Sequence, residues 1–357
     1  KMKGRNYKDV NVFDSKNKIS YSMDDITRLA QEFGVIDGLG EDVRNARGLL
    51  PKLETQIDNS GFMKRLGEIE ETARMHHFVK QLEKGMSPEQ ASKSVNKYLF
   101  ELEDGNKIES VLMFHDYGTS ICVSSQVGCN MTCAFCESGR LKKVRNLEAY
   151  EIVEQILLIE EDIKKRITHV VVMGIGEPFD NYENVMRFIK IINCGKGIDI
   201  GSRHITISTC GIVPGIKKFM NEEGQVNLAI SLHAPNDELR NKLMPINKAY
   251  NLKELMDAIK EYIAKTNRRV TFEYILIEDI NDSEKEALEL VKLLKGINCY
   301  VNLIPYNETK NIGFKRTKEW KILKFYDILK SNKINTTIRK EFGGKVDAAC
   351  GQLRANN

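Results

Sequence analysis

The stretch Gly128-Cys129-Asn130-Met131-Thr132-Cys133-Ala134-Phe135-Cys136 places three cysteines at CxxxCxxC spacing. It follows residues 120–127, a mostly apolar run that predicts a β-strand. Iron–sulfur clusters are held by cysteine thiolates, usually four. Three thiolates in one loop therefore predict a cubane cluster with one iron left open. An open iron can bind and reduce a small molecule.

Two other interpretations of the three cysteines stay open at this stage. A zinc site takes four ligands, commonly from CxxC pairs, and no fourth ligand stands nearby at that spacing. Three buried thiols are the plain structural alternative, because free cysteine is often a core residue. Ligand count and spacing favour the cluster.

Composition limits the remaining possibilities. The chain has 357 residues, which allows one large domain or two ordinary ones, and 41% of them are apolar, enough for a substantial core. No apolar run approaches the ~18 residues of a membrane span. The polar start predicts no signal peptide, and the first residue, Lys1, suggests a trimmed N-terminus. Eight cysteines without a secretory signal predict reduced thiols in the cytoplasm. A net charge of +4 does not by itself indicate a nucleic-acid binder.

Three segments are predicted along the chain. Residues 1–96 have a polar, helical pattern and no catalytic motif. Residues 97–350 form the core, which opens with an antiparallel β-extension over 97–127 whose turn is Asp104-Gly105-Asn106. Residues 351–357 are a C-terminal tail.

Beyond the cysteine stretch, apolar strands alternate with amphipathic helices about six times. This alternation predicts an α/β fold, a partial (β/α)6 barrel, whose site lies at the C-terminal ends of its strands. Glycines let the backbone approach a ligand, and small polar residues at strand ends can bind one. Each also has a structural interpretation as a tight turn, a strand-end cap or a satisfied core histidine. The candidates at strand ends are Gly176, Glu177, Ser208, Ser231, Leu232, His233 and Asn307.

Several motifs in order resemble one known family. They are Ile121-Cys122-Val123-Ser124-Ser125-Gln126-Val127-Gly128-Cys129, Met173-Gly174-Ile175-Gly176-Glu177-Pro178, Ser231-Leu232-His233 and Asp347-Ala348-Ala349-Cys350-Gly351-Gln352-Leu353. With the cysteine stretch, they resemble the RlmN/Cfr family of radical S-adenosylmethionine (SAM) enzymes, which methylate adenines in rRNA and tRNA. The resemblance implies a radical SAM barrel, one 4Fe-4S cluster on Cys129, Cys133 and Cys136, and SAM on the open iron. It also implies SAM contacts from the strand-end candidates above.

The resemblance also implies the catalytic residues. Cys350 and Cys122 fit no cluster spacing and, taken alone, would be interpreted as buried and inert. Both match catalytic cysteines of the family, and Glu109 matches an active-site carboxylate, although alternation also allows it an outward position. The implied mechanism uses two SAM molecules per turnover. One methylates Cys350; the other yields a 5′-deoxyadenosyl radical that activates the S-methyl group; Cys122 resolves the RNA adduct and leaves a Cys122–Cys350 disulfide.

The implied product is an adenine methylated at C2 in 23S rRNA, with tRNA as a second substrate. Gly176-Glu177-Pro178 and Pro305 favour C2 over the alternative, a Cfr-like adenine-C8 methyltransferase, whereas Glu137-Ser138-Gly139-Arg140 is unusual for either. The N-terminal segment does not resemble the family's small RNA-binding domain. A non-catalytic RNA-binding relative and a radical SAM enzyme acting on a small molecule or peptide therefore stay open.

Expected partners follow from the same resemblance. They are 23S rRNA, tRNA and an electron donor such as flavodoxin or ferredoxin, for a cytoplasmic, monomeric protein without membrane contact. Basic runs such as Lys142-Lys143 with Arg145 would bind phosphates if they gathered at the barrel mouth. The target adenine is expected to leave its stack or to lie in a loop.

Overall fold

The computed structural model describes residues 5–8, 96–115, 117–309 and 311–339. The strands in this part are β1 (Arg5–Lys8), β2 (Asn96–Glu101), β3 (Lys107–His115), β4 (Gly118–Cys122), β5 (Gln126–Val127), β6 (Arg145–Asn146), β7 (His169–Val172), β8 (Ile205–Thr209), β9 (Asn227–Ser231), β10 (Val270–Leu276), β11 (Cys299–Pro305) and β12 (Thr336–Ile338). The helices are α1 (Glu137–Arg140), α2 (Ala149–Ile163), α3 (Tyr182–Asn193), α4 (Val213–Phe219), α5 (Asp237–Leu243), α6 (Leu252–Thr266), α7 (Glu284–Leu294) and α8 (Glu319–Ser331).

Ten of these strands form one sheet in the order β1-β2-β3-β4-β7-β8-β9-β10-β11-β12. The pairs from β1 to β4 are antiparallel, which confirms the predicted β-extension and its hairpin. From β4 onward each neighbouring pair is parallel, with helices in the crossovers. The predicted partial α/β barrel is therefore confirmed.

The two faces of the parallel strands differ in chemistry. One face is apolar and packs under the helices, as in Val170, Ile207 and Phe272, all fully buried. The opposite face lines the barrel interior, and the strand registers place a row of polar side chains along it. The polar residues on this inner face include Cys122, Thr206, Ser208, Ser231, Glu273, Asn302 and Thr337. The apolar face therefore forms the core with the helices, and the inner face carries the side chains that are candidates for binding and catalysis.

One predicted strand differs from the structure. Residues 120–127 do not form a single strand, because the chain leaves the main sheet after Cys122 and pairs again as β5 with β6. The amides of Ser125 and Gln126 instead both donate to the carbonyl oxygen of Ile175, at 2.9 and 3.1 Å. This break brings the cysteine stretch over the end of the barrel.

The predicted N-terminal helical segment, residues 1–96, lies almost entirely outside the described residues. Of that segment the structure describes residues 5–8, which are a strand paired with β2, and Asn96, the first residue of β2. The C-terminal tail, 351–357, also lies outside. Among the described residues, no helix is both long and apolar enough to cross a membrane.

Candidate active site

The cysteine loop is curled by two backbone conformations that extended chains do not use. Gly128 has φ +80, and a Cβ there would lie 2.2 Å from the carbonyl oxygen of Lys142, so only glycine fits. Thr132 is also left-handed, at φ +50. The amide of Cys129 donates to Leu141 O (3.0 Å), and the amide of Ala134 donates to Leu243 O (2.9 Å). These bonds fix the loop against α5 and the segment after α1.

The three thiols lie near one another in a low-dielectric setting. Burial raises the pKa of Cys129 to about 12 and raises the pKa of Cys133 and Cys136, and the sulfurs also repel each other's negative charge. All three are therefore neutral at pH 7 unless a cation lies beside them. The iron of a bound cluster would supply that cation and hold them as thiolates.

The described residues bear on the choice between a cluster and a zinc ion. Within the described residues, no three His, Cys, Asp or Glu side chains lie close enough to hold one metal ion. A cubane cluster binds each cysteine to a different iron, so its ligands stand further apart than those of a single zinc ion. The three cysteines thus form no single-ion site in the described part of the chain, and their thiols are the donors that an iron–sulfur cluster takes.

The Gly-Glu-Pro loop after β7 packs directly against the segment that leads into the cysteine loop. A Cβ on Gly174 would lie 2.6 Å from Val123 O, and one on Gly176, at φ +113, would lie 2.7 Å from the Cβ of Gln126. The side-chain Oε1 of buried Gln126 accepts the amide of Glu177 at 2.9 Å. Both glycines therefore permit a close approach between two strand ends, besides any contact with a ligand.

The Glu177 side chain links two neighbouring loops by hydrogen bonds to their backbone amides. Its Oε1 accepts the amide of Phe179 (3.0 Å), and its Oε2 accepts the amide of Cys210 (2.7 Å). Burial raises the pKa of this carboxyl, and the backbone donors partly oppose that rise. Glu177 thereby orients the backbone at the ends of β7 and β8, where a ligand's polar groups would be recognised.

The ring of His233 is held in place by a backbone hydrogen bond and by an aromatic contact. It has φ +56, and its Nδ1 accepts the amide of Ile275 at 3.0 Å, so the ring proton is on Nε2. Burial lowers its pKa to about 3, and the ring stays neutral at pH 7. The ring makes a T-shaped contact with Phe135 of the cysteine loop, with centroids 4.8 Å apart. The hydrogen bond from Ile275 accounts for Nδ1 of His233, as expected of a core histidine. It does not account for Nε2.

The other strand-end candidates lie either on the inner face of the sheet or in the apolar core. Ser208 and Ser231 lie on the inner face, and Asn307 follows β11 at the same end. The side chain of Leu232 belongs to the apolar core, its amide donates to Glu273 O (3.0 Å), and its carbonyl oxygen accepts from Arg240 Nε (3.1 Å). Ser231 is in register with Glu273, whose carboxylate accepts Nδ2 of Asn302 at 2.8 Å. The structure brings these residues together; their roles stay predictions.

The register settles the side of the sheet on which Glu109 lies. Val111 pairs with Cys122, and Glu109, two residues earlier, shares the inner face with both. Glu109 is buried, and its charge raises the pKa of Cys122, which burial brings to about 11. Cys122 and Glu109 are therefore neighbours inside the barrel. Cys350 lies outside the described residues.

Comparisons with known proteins agree with this geometry. A model of the radical SAM superfamily matches residues 123–291. A "Probable dual-specificity RNA methyltransferase RlmN" from Spiroplasma citri is 60% identical over 264 residues, 73% of this chain and 76% of the relative. One from Acholeplasma laidlawii is 57% identical over 261 residues, 73% of this chain and 77% of the relative. The chain belongs to the RlmN family.

A solved structure supports the same assignment. The crystal structure of a radical SAM methyltransferase from Sphaerobacter thermophilus is 46% identical, with a TM-score of 0.71 over 73% of this chain and 78% of that one. Radical SAM enzymes carry a 4Fe-4S cluster and use SAM, and the three-cysteine loop of this RlmN-family chain has the donor set for that cluster.

Sequence reasoning missed Arg240, a fully buried guanidinium behind the RlmN-family site. Its donors reach the carbonyls of Cys210 (2.7 Å), Ser231 (3.2 Å) and Leu232 (3.1 Å) and the side chain of Asn247 (2.9 Å). It therefore ties the ends of β8 and β9 together. An arginine in a short charged helix is typical of an exposed position, so the local sequence carries no signal of this role.

We expect Arg240→Ala to lower the free energy of unfolding by about 3 kcal/mol, because it leaves several buried acceptors without a donor. Urea unfolding of the apoprotein measures this. Lys242→Ala, at an exposed position of the same helix, is the control and should change stability by less than about 0.5 kcal/mol. Equal stability of the two variants would contradict the role given to Arg240.

Proposed function

We propose that this radical SAM RNA methyltransferase methylates C2 of an adenine in 23S rRNA and accepts tRNA as a second substrate. The observation that carries the proposal is the meeting of three elements at one end of the barrel. These elements are the cysteine loop, the Gly-Glu-Pro loop and the inner-face pair Cys122 and Glu109. The dual-specificity RNA methyltransferase names of relatives at 57–60% identity support the RNA substrates.

The cofactor-holding residues are proposed from the family resemblance and from their positions at the strand ends and in the cysteine loop. Cys129, Cys133 and Cys136 would hold the 4Fe-4S cluster. SAM would lie against the ends of β7, β8, β9 and β11, within reach of Gly176, Glu177, Ser208, Ser231, Leu232, His233 and Asn307. When bound, the cluster supplies the electron that cleaves SAM to methionine and a 5′-deoxyadenosyl radical. The His233 ring is neutral, so its Nε2–H could donate a hydrogen bond to SAM without placing a second positive charge beside the sulfonium.

The chain's own thiols carry the methyl carbon. The Cys350 thiolate attacks the methyl carbon of one SAM, becomes S-methylated and releases S-adenosylhomocysteine. After loss of a hydrogen atom to the radical, the sulfur-bound carbon adds to the adenine ring and joins protein to RNA. The adduct then gives up one electron, which the oxidised cluster would take back, and the ring carbon loses its proton. The Cys122 thiol loses its proton and bonds to the Cys350 sulfur, the carbon–sulfur bond breaks, and the carbon left on the adenine takes up a proton to become the methyl group. The resulting disulfide is returned to two thiols by a thiol reductant.

Glu109 is proposed as the proton acceptor in this sequence. It is buried on the inner face beside Cys122, whose thiol keeps its proton at pH 7 because burial raises its pKa to about 11. A nearby carboxylate can take a proton as the adduct resolves. We expect Glu109→Gln to reduce methylation about 10²–10⁴-fold while cluster content and SAM cleavage stay intact. Unchanged methylation would contradict the assignment.

The position of the methyl group is tested on RNA directly. Mass spectrometry of rRNA from cells with and without this protein separates 2-methyladenosine from 8-methyladenosine. The proposal predicts 2-methyladenosine only in cells that contain the protein. Appearance of 8-methyladenosine would establish the Cfr-like alternative, and no ring methylation in either sample would favour a non-catalytic RNA-binding protein.

A further inference from the structure

Arg339 connects the last strand of the barrel to the β-extension. It directly follows β12, and its amide donates to Leu303 O (2.8 Å) on β11. Its guanidinium Nη2 donates to the Met113 sulfur on β3 at 4.0 Å, across 226 residues of chain. In the described sheet β12 ends the strand order, whereas β3 precedes β4, the first of the parallel strands. Arg339 therefore lies at the seam where the partial barrel stays open.

The seam lies beside the proposed reaction centre. Met113 is in register with Ser120 on β4, two residues before Cys122 on the same inner face. Burial raises the pKa of Cys122, and the positive charge of Arg339 opposes that rise more than any other charge does. Burial also raises the pKa of Glu273 on β10, and a side-chain hydrogen bond and the Arg339 charge oppose it there. The guanidinium is therefore close enough to both sides of the barrel interior to act on their charges.

The guanidinium has no counter-ion among the described residues. Arg339 is exposed, and no carboxylate oxygen in the described part of the chain lies at salt-bridge distance from it. Glu273 is 7% exposed, and its carboxylate instead accepts Nδ2 of Asn302 at 2.8 Å. The thioether of Met113 is a weak acceptor. Almost all of the hydrogen-bonding capacity and the whole charge of Arg339 are therefore available to a ligand at the seam.

We propose that Arg339 binds a backbone phosphate next to the target adenosine and so holds the extruded adenine beside Cys122. This inference rests on the proposed function, because it requires an RNA whose adenine reacts on the inner face. A guanidinium is always charged, and its parallel N–H donors match the oxygens of a phosphate. A base that leaves its stack rotates about its own backbone, so its flanking phosphates stay at the mouth of the pocket.

Two other uses of this side chain make different predictions. If the contact with Met113 only stabilised the seam, loss of the guanidinium would change folding and leave the salt dependence of RNA binding as it was. If the guanidinium stacked on the adenine ring, as arginine does on unpaired bases, RNA affinity would not depend on the charge of one phosphate. A phosphate contact alone couples the arginine to a single charge on the RNA backbone.

The test is a double-mutant cycle on the reconstituted full-length protein, with a short fragment of 23S rRNA that contains the methylated adenosine. In two modified fragments, a methylphosphonate replaces the phosphate on the 5′ or the 3′ side of that adenosine and removes its charge. We expect Arg339→Gln to weaken binding of the unmodified fragment about tenfold and to reduce the slope of log K against log salt concentration by about one. One methylphosphonate should weaken binding to the parent by a similar factor and to Arg339→Gln by less than about twofold.

Controls separate phosphate binding from a general change in charge or in fold. Arg187→Gln removes an exposed arginine from α3 and should bind all three fragments as the parent does. Formation of 5′-deoxyadenosine from SAM without RNA should be unchanged in Arg339→Gln, which shows that the protein is folded and loaded. Arg339→Lys keeps the charge and loses the paired donors, so it should show a smaller loss with the same dependence on the methylphosphonate.

Each outcome decides the proposal. A non-additive loss for Arg339 and one flanking phosphate supports it. Equal RNA affinity of the parent and Arg339→Gln overturns it, and the proposed function stands as long as the parent methylates the fragment. Weaker binding by Arg339→Gln that adds fully to the effect of both methylphosphonates also overturns it and assigns the arginine to the base or to the seam. A parent protein that neither binds nor methylates RNA overturns this inference and the proposed function together.

Discussion

Cys122→Ala should end each turnover covalently joined to its RNA. In the proposed mechanism only the Cys122 thiol can bond to the Cys350 sulfur and release the methylated adenine. Cys122 lies on the inner face beside Glu109, and among the described residues it is the one cysteine on that face. Release of methylated RNA should therefore fall to an undetectable level, and a protein–RNA adduct should accumulate.

Denaturing gel electrophoresis with labelled RNA measures the adduct directly. Cys194→Ala is the matched control, since Cys194 is a free, exposed cysteine after α3; it should give product and no adduct. A Cys122→Ala protein that releases methylated RNA at the parent rate would show that another group resolves the intermediate. Loss of product without an adduct would indicate that Cys122 acts in a step before the carbon–carbon bond forms.

Cys133→Ala should abolish the cluster and all SAM cleavage while leaving the apoprotein folded. Cys133 is half-buried and contacts a small apolar cluster that includes Cys210 and Tyr306. Removal of one sulfur from such a site should change the free energy of unfolding by only about 1 kcal/mol. A three-thiolate site with one ligand missing, by contrast, cannot hold a cubane cluster.

Iron and sulfide content, with formation of 5′-deoxyadenosine from SAM, measures this effect. Cys299→Ala replaces another buried cysteine at the start of β11, far from the loop in sequence, and should keep full iron content. Normal iron content in Cys133→Ala would contradict the cluster assignment and would indicate that the three cysteines are ordinary buried thiols.

The sequence predicted the fold because its signals are local and repeated. Alternation of strands and helices predicted the barrel, and motifs at strand ends predicted where Ser208, Ser231 and His233 would gather. Their meeting at one edge follows from the parallel order of the strands. The split between β4 and β5 was not predictable, since it depends on how closely Gly174 and Gly176 approach the neighbouring strand end.

Contacts between distant residues explain what the sequence could not show. Alternation left two positions for Glu109, and only the pairing of Val111 with Cys122 placed it inside. Arg240 binds carbonyls that lie up to 30 residues away in the chain, and the Asn281 side chain donates to His233 O, 48 residues away. The helical prediction for residues 9–95 and the role of Cys350 stay predictions, because these residues lie outside the described part.

The products of SAM test most directly whether a radical formed at an open iron drives methylation. Protein reconstituted anaerobically with iron and sulfide is given SAM, reductant and RNA, and every product is counted. We predict one 5′-deoxyadenosine and one S-adenosylhomocysteine for each methyladenosine formed. Methyladenosine formed with S-adenosylhomocysteine alone would show an ordinary polar methyl transfer and would contradict the account.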